Sequence, residues 1–252
     1  MRMITTAGAH ACGKTAVILK TAEMLMKEGI RTGVMKLDCI SSGDDQLYRA
    51  CGIPNIKYIS GNICPDHYFA DSVPEIFEWG RSQNLDLLIT ESAGLCGRCA
   101  PHIREVPAVC VIDCLSGVTA PKKAGPMLRC ADFIAVTKGD LVSPAEREVF
   151  LHNIRQANKK ARVTFLNGLT GQGAYRLAAF IKEGPDFSSL EGKFLRFTMP
   201  SAVCSFCAGQ MQLSQKGNGK NETYVEGGKG WRLYRNSLKN VRRPETFFRF
   251  WH

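Results

Sequence analysis

The sequence predicts an α/β domain whose doubly wound, mainly parallel sheet carries helices on both faces, followed by a small β-rich extension. Three observations predict it. Short apolar runs alternate with helix-patterned stretches from residue 1 to about residue 185. The runs are apolar nearly throughout, as strands covered on both faces require. A glycine-rich turn ending in Gly-Lys-Thr joins the first run to the first helical stretch.

The expected strands are Met3–Ala7, Thr32–Leu37, Ile56–Ile59, Leu85–Thr90, Ala108–Asp113, Phe133–Thr137 and Arg162–Leu166. Helices are expected near 14–28, 44–51, 74–82, 121–129, 143–158 and 172–183. The first, TAVILKTAEMLM, is apolar nearly all round, which predicts burial under the sheet. The helix at 143 has a start signal: Ser143 as cap, Pro144 in the first turn and Glu146 closing a capping box. After Gly184-Pro185 the helical period is lost and aromatics, glycines and basic residues dominate. The expected division is therefore a domain over 1–185 and an extension over 186–252, with QKGNGKNE (215–222) as an exposed loop.

A chain of 252 residues can bury a sizeable core. No apolar run approaches a membrane span, and MRMITTAGAH reads as a strand rather than a leader. Eleven cysteines without a secretory signal predict reduced thiols, some of them metal-binding or redox-active, in a cytoplasmic protein. The formal charge of +10 is uneven: residues 216–252 hold nine Lys/Arg and three Asp/Glu, or +6. Such a tail suits an anionic partner such as a membrane surface or transporter, or is a solvated basic face; nucleic acid is not the favoured partner.

Gly8-Ala9-His10-Ala11-Cys12-Gly13-Lys14-Thr15 fits G-x-x-x-x-G-K-[ST] in full, between strand and helix as its mechanics demand. Backbone N–H groups of such a loop cradle phosphates, Lys14 reaches the β/γ-phosphates, and Thr15 offers a hydroxyl to Mg²⁺. His10 and Cys12 read as loop residues without a further role. Downstream, Thr137-Lys138-Gly139-Asp140 follows a strand, and its carboxylate can accept both N1–H and the exocyclic amine of guanine. The usual first residue there is Asn, so Thr137 departs from the pattern. Asn167-Gly168-Leu169 opens a second loop where a base-contacting segment belongs. GTP is the expected nucleotide, with ATP left open.

Beyond these motifs the chain resembles the nickel-chaperone GTPases that mature urease and NiFe-hydrogenase, the UreG/HypB type. The resemblance spans roughly 1–183 and rests on GAHACGKT, GDDQLYRACGIP (43–54), GNICPDH (61–67), ESAG (91–94), VIDCLSGVTAPKKAGP (111–126), TKGD and NGLTGQG. It implies slow GTP hydrolysis, a nucleotide-dependent homodimer, and metal transfer to a client metalloenzyme or accessory protein. It further implies that Glu91 helps hold Mg²⁺ through water, that Gly94 senses the γ-phosphate, and that Asp38 orients water or binds Mg²⁺. The departures are Ala93 before Gly94, one extra residue in the metal motif, and an extension that the family does not supply.

The resemblance also marks Cys64 and His67 as metal ligands in a loop after the third strand. A thiolate and an imidazole suit Ni²⁺, Zn²⁺ or Co²⁺, and two ligands per chain leave a site that a two-fold dimer would complete. Two further pairs, Cys96/Cys99 and Cys204/Cys207, have C-x-x-C spacing and suit a zinc ion or an iron–sulfur cluster. His102 is a weaker candidate. The remaining cysteines read as small buried hydrophobes. The expected function is a GTP-switched assembly protein for a metal centre. The alternatives are an iron–sulfur ATPase that passes electrons to a partner, and a nucleotide-switched adaptor for a transporter.

Overall fold

The computed structural model describes residues 1–40, 43–61, 64–95 and 97–197. The expected β-rich content of 198–252, the 215–222 loop, and the positions of Cys96, Cys204 and Cys207 lie outside the described residues.

Seven strands form one sheet: β1 (Arg2–Gly8), β2 (Thr32–Asp38), β3 (Asn55–Ile59), β4 (Leu87–Glu91), β5 (Ala108–Asp113), β6 (Phe133–Thr137) and β7 (Arg162–Phe165). Their order is β3-β2-β4-β1-β5-β6-β7, and every adjacent pair is parallel. Parallel pairing forces crossovers, and these carry α1 (Lys14–Lys27), α2 (Asp45–Ala50), α3 (Pro65–Ser82), α4 (Ala120–Lys123), α5 (Gly125–Arg129) and α6 (Pro144–Ala157), while α7 (Ala174–Lys182) follows the last strand.

Strand periodicity divides the core in two. Ile4, Leu87, Ile89, Val109, Val111, Phe133 and Ala135 pack beneath α1 and α7. Their neighbours in sequence, Met3, Leu88, Cys110, Ile134 and Val136, face the opposite layer with α3, α5 and α6. Each face therefore takes alternate residues of the same apolar runs.

Helix α1 differs from its expected all-round burial. Val17, Ile18, Thr21, Ala22 and Leu25 are buried on one face, while Leu19, Met24 and Met26 stay only partly covered. The sheet covers one stripe of the helix, and a cleft begins beside Leu19. The capping box on α6 forms as expected, with Glu146 N–H donating to Ser143 Oγ at 3.2 Å and Ser143 N–H to Glu146 Oε2 at 2.9 Å. Helix α3 starts well before the expected residue 74. Pro65 occupies its first turn after Cys64 as N-cap, and Pro74 sits inside it. Burial of Phe69, Val73, Ile76 and Phe77 against the sheet holds the helix together across that proline.

Residues 186–197 pack on the domain rather than leaving it. Leu190 and Leu195 are buried, Leu195 pairs antiparallel with Ile103, and the Met1 carbonyl accepts from Phe187 N–H. Arg196 is a clamp: it donates to the carbonyls of Ile103, Val106 and Cys130 and forks onto Asp132 at 2.7 Å.

Candidate functional site

The parallel strands aim their carboxyl ends at one rim, where open α/β sheets bind ligands. A cleft of about 750 Å³ lies there, bounded by the 8–15 loop, Lys36, Asp38, Asp44, Glu91 and the 168–169 turn. The loop bends through left-handed backbone at Ala11 (φ 57°) and Gly13 (φ 92°), the latter capping α1. Lys14 is buried and donates to the carbonyls of Ala9 at 2.8 Å and Gly8 at 3.1 Å. Its ammonium is thus folded over the hollow of its own loop.

Glu91 ends β4 with its side chain 2 % exposed. Thr15 Oγ1 donates to its Oε1 at 2.6 Å, Tyr48 Oη to its Oε2 at 2.7 Å, and Lys36 Nζ to its Oε1 at 3.1 Å. Lys36 Nζ also lies 3.1 Å from Asp44, 3.4 Å from Thr15 Oγ1 and 4.0 Å from Asp38. Burial alone would lower the pKa of this ammonium, but Glu91, Asp38 and Asp44 outweigh it and raise it. Burial and Glu91 push the Tyr48 hydroxyl well up. Oxygens of Thr15, Glu91, Asp38 and Asp44 therefore converge on one cation, which marks a corner whose donor set fits Mg²⁺.

The structure brings Thr15, Glu91 and Asp38, which the sequence singled out, together with Lys36 and Tyr48, which it did not. Lys36 alternates correctly for an inward residue of β2, yet a lysine in a buried strand gives no signal of its partner.

Beyond Glu91 the chain turns at Gly94 (φ 68°), where a Cβ would stand 1.7 Å from the Gly8 carbonyl oxygen and 3.1 Å from Lys14 Nζ. Only glycine can lie this close to the phosphate loop. On the other flank, Thr137 Oγ1 donates to the Cys12 carbonyl at 2.7 Å and Lys138 Nζ to the Ala11 carbonyl at 2.8 Å. Two residues of TKGD thus clamp the loop. Asp140 is exposed and shares a pocket of about 370 Å³ with Asn167, Gln172 and Arg147. Asn167 Oδ1 accepts from Leu169 and Thr170 N–H and shapes the turn that places Gly168 against Ala16. His10 is exposed at the cleft mouth, and Cys12 is buried beneath the loop.

A second cluster stands beside this cleft. Cys64 Sγ, an Asp66 carboxylate oxygen and Cys99 Sγ all lie within 4.8 Å of one another. The hydrogen bond from Cys99, followed by backbone N–H groups of the α3 N-terminus, draws the Cys64 thiol down to about 5. Burial, then the Cys64 charge, pushes the Asp66 carboxyl up to about 7. His67 is 1 % exposed, and among the described residues neither ring nitrogen has a hydrogen-bond partner. It corrects the expectation of a loop residue: it lies in the first turn of α3 because Cys64 and Pro65 open that helix. Its ring stands outside the Cys64–Asp66–Cys99 triad.

Cys110, Cys114 and His102 have other surroundings, whereas Cys39 lies near enough to Cys64 and Asp66 to feel their charge. Cys110 and Cys114 are buried small residues, the latter thiol raised to about 11, mainly by burial. His102 is no ligand candidate: its Nε2 contacts the Met127 carbonyl at 3.0 Å and must donate to it. Its Nδ1 then accepts from Thr5 Oγ1 at 2.9 Å, so both nitrogens are used within the core.

A strand, a Gly-Lys-Thr loop and a capped helix around this rim define a P-loop nucleotide-binding protein. Residues 3–165 match the family described as CobW/HypB/UreG, nucleotide-binding domain. The chain belongs to that family of P-loop GTPases. It is 40 % identical over 216 residues to the uncharacterized protein MJ0120 of Methanocaldococcus jannaschii, covering 86 % of this chain and 92 % of the relative. Among solved structures it resembles the hydrogenase maturation factor HypB of Archaeoglobus fulgidus, with TM-score 0.58 and 22 % identity over 72 % of this chain and 89 % of the other. HypB of Helicobacter pylori, solved in complex with nickel, gives TM-score 0.60 and 16 % identity over 73 % and 86 %. These two likenesses concern the fold. Among the described residues no helix is long and apolar enough to cross a membrane.

Proposed function

We propose that this protein is a GTP-switched assembly factor for a metal centre. In this reading it carries a thiophilic divalent ion as cargo and releases it to a client protein according to the state of its nucleotide. The single observation that carries the reading is the segment 91–99. It starts at Glu91 beside Thr15, passes Gly94 against the phosphate loop, and ends at Cys99 beside Cys64. A change at the γ-phosphate end of so short a segment displaces a metal-ligand thiol at its other end.

Each residue has a chemical task in this reading. Lys14 exchanges the Ala9 and Gly8 carbonyls for phosphate oxygens. Thr15 would hold Mg²⁺ directly, and Glu91 would hold it through water; bound there, the ion neutralises charge on the β- and γ-phosphates. Lys36 then gives up the carboxylate corner and turns toward the anion, while Asp38 orients water. Thr137 and Lys138 brace the loop, and Asp140 reads guanine. Cys64 and Cys99 are the soft ligands, with Asp66 beside them. A second chain facing the cleft would enclose the nucleotide, and the resemblance to dimeric nickel chaperones supports that arrangement.

The test is metal and nucleotide binding on one preparation purified without oxygen. The reading expects about one Ni²⁺, Co²⁺ or Zn²⁺ per site, lost in Cys64→Ser/Cys99→Ser, and GTP binding lost in Lys14→Ala with metal retained. Iron with matching sulfide would replace it with the iron–sulfur reading. No metal at all, with GTP-dependent capture of a transporter, would replace it with the adaptor reading.

A further inference from the structure

The Cys64–Asp66–Cys99 cluster supplies two thiols and one carboxyl within 4.8 Å of one another, one donor short of a tetrahedral site. The sheet order points to the missing donor. Strand β2 lies between β3 and β4, and strands two apart in a sheet stand about 10 Å from each other. Cys64 comes from the chain leaving β3 and Cys99 from the chain leaving β4. Their thiols meet by converging from either side of β2, and the first residue past the carboxyl end of β2 is Cys39.

Backbone pairing holds Cys39 in this place. Ser60 N–H donates to the Asp38 carbonyl at 2.8 Å and Gly61 N–H to the Cys39 carbonyl at 3.1 Å, so the β2–β3 ladder continues past the ends of both strands. Gly61 stands three residues before Cys64, about 11 Å of chain at most. Ser60 Oγ donates to the Cys39 sulfur at 3.5 Å, the kind of outer hydrogen bond that orients a ligand thiolate. Cys39 and Cys64 are half-buried, whereas Asp66 and Cys99 are buried, so the two half-buried thiols mark the side open to an entering ion. The Cys39 sulfur stands outside the group of three, and ligation takes a turn about its χ1. Cys39 also lines the cleft beside Asp38.

Building on the metal-binding reading above, we infer that Cys39 is the third thiolate of the site, which holds a thiophilic divalent ion by Cys39, Cys64 and Cys99 with the Asp66 carboxylate as fourth donor. Two of these ligands belong to α3 and its N-cap. The other two end the segments that meet the nucleotide corner: Cys39 follows Asp38, and Cys99 closes 91–99. The ion thus bridges a helix end and both of those segments. Movement of either segment away from α3 removes a ligand, which opens the site for release.

Co²⁺ added without oxygen to the full-length, metal-free protein reads the thiolate count, because sulfur-to-cobalt charge transfer grows with each thiolate bound. Cys39→Ser is expected to lose about a third of this absorption, one thiolate of three, and to bind Co²⁺ at least about tenfold more weakly. A second readout needs no variant. Zn²⁺ added to the parent protein must slow iodoacetamide labelling of Cys39 together with that of Cys64, followed residue by residue by mass spectrometry. A Cys39→Ser protein with the full spectrum, and Cys39 labelled as fast with Zn²⁺ as without it, overturns the inference. If Cys64→Ser/Cys99→Ser loses the spectrum in that same series, the metal reading stands. Absence of charge-transfer absorption in the parent protein overturns both.

Discussion

Gly94 stands so close to Gly8 that a Cβ on it would meet the Gly8 carbonyl oxygen at 1.7 Å, while its backbone is left-handed at φ 68°. The first turn after β4 is thereby pressed against the phosphate loop. Gly94→Ala must push these two segments apart. It is expected to slow GTP hydrolysis at least about tenfold, equivalent to about 1.4 kcal/mol in the barrier. GDP affinity should change less, since GDP has no γ-phosphate for the Gly94 turn to meet, although the added Cβ also stands 3.1 Å from Lys14 Nζ. Single-turnover hydrolysis beside GDP titration checks this; equal losses in both would show that the substitution merely damages the loop.

Lys36 neutralises a corner that holds Glu91, Asp44 and Asp38, and its side chain is 5 % exposed. Lys36→Gln leaves the Glu91 carboxylate buried without its counter-charge, a loss on the order of 3 kcal/mol. The melting temperature without divalent ions should therefore fall, and millimolar Mg²⁺ should restore part of it. A variant that melts like the parent in both conditions would remove Lys36 from this role.

The sheet was legible because its central strands, β1, β4, β5 and β6, are short, nearly continuous buried runs of the kind that helices on both faces require, and the phosphate loop because its spacing is mechanical. Helix α3 was legible only in its second half. Pro74 resembles a start, whereas Cys64-Pro65, the true start, looked like a metal loop. The pairing of Cys64 with Cys99 could not be read at all, since α3 and the turn after β4 meet only through the sheet order. Lys36 and Tyr48 were hidden for the same reason: their partner Glu91 lies on a strand distant in sequence. A lone His102 gave no sign that Thr5 and Met127 would use both its nitrogens.

His102 also sets a pH dependence. Burial, against the opposing Met127 hydrogen bond, lowers its pKa to about 4 from 6.5. The unfolded chain then takes up this proton as pH falls below about 6.5, while the folded chain resists until about 4. Stability is thus unaffected above 6.5 and declines through the window below it, by about 2 kcal/mol at pH 5. His102→Gln should keep a donor and an acceptor for Met127 and Thr5 and abolish that decline. Urea midpoints at pH 7.5 and pH 5 measure it, and an equal drop in both proteins would contradict the assignment.

Asp140 lies exposed in the pocket it shares with Asn167. Asp140→Asn exchanges one acceptor for a donor, so it should weaken GTP while favouring a xanthine base, whose C2 carbonyl accepts where guanine donates. Competition among GTP, XTP and ATP reads this directly. Undiminished preference for GTP in the variant would take Asp140 out of base recognition.

The most direct test of the link between cleft and cluster is the metal affinity of the full-length protein with Mg²⁺–GDP and with a Mg²⁺-bound, non-hydrolysable GTP analogue. A chromophoric chelator competing for the ion gives both values. The account predicts affinities that differ at least about tenfold between the two nucleotides, a coupling of about 1.4 kcal/mol, and a difference that disappears in Cys64→Ser/Cys99→Ser. Equal affinity in the two nucleotide states would contradict it.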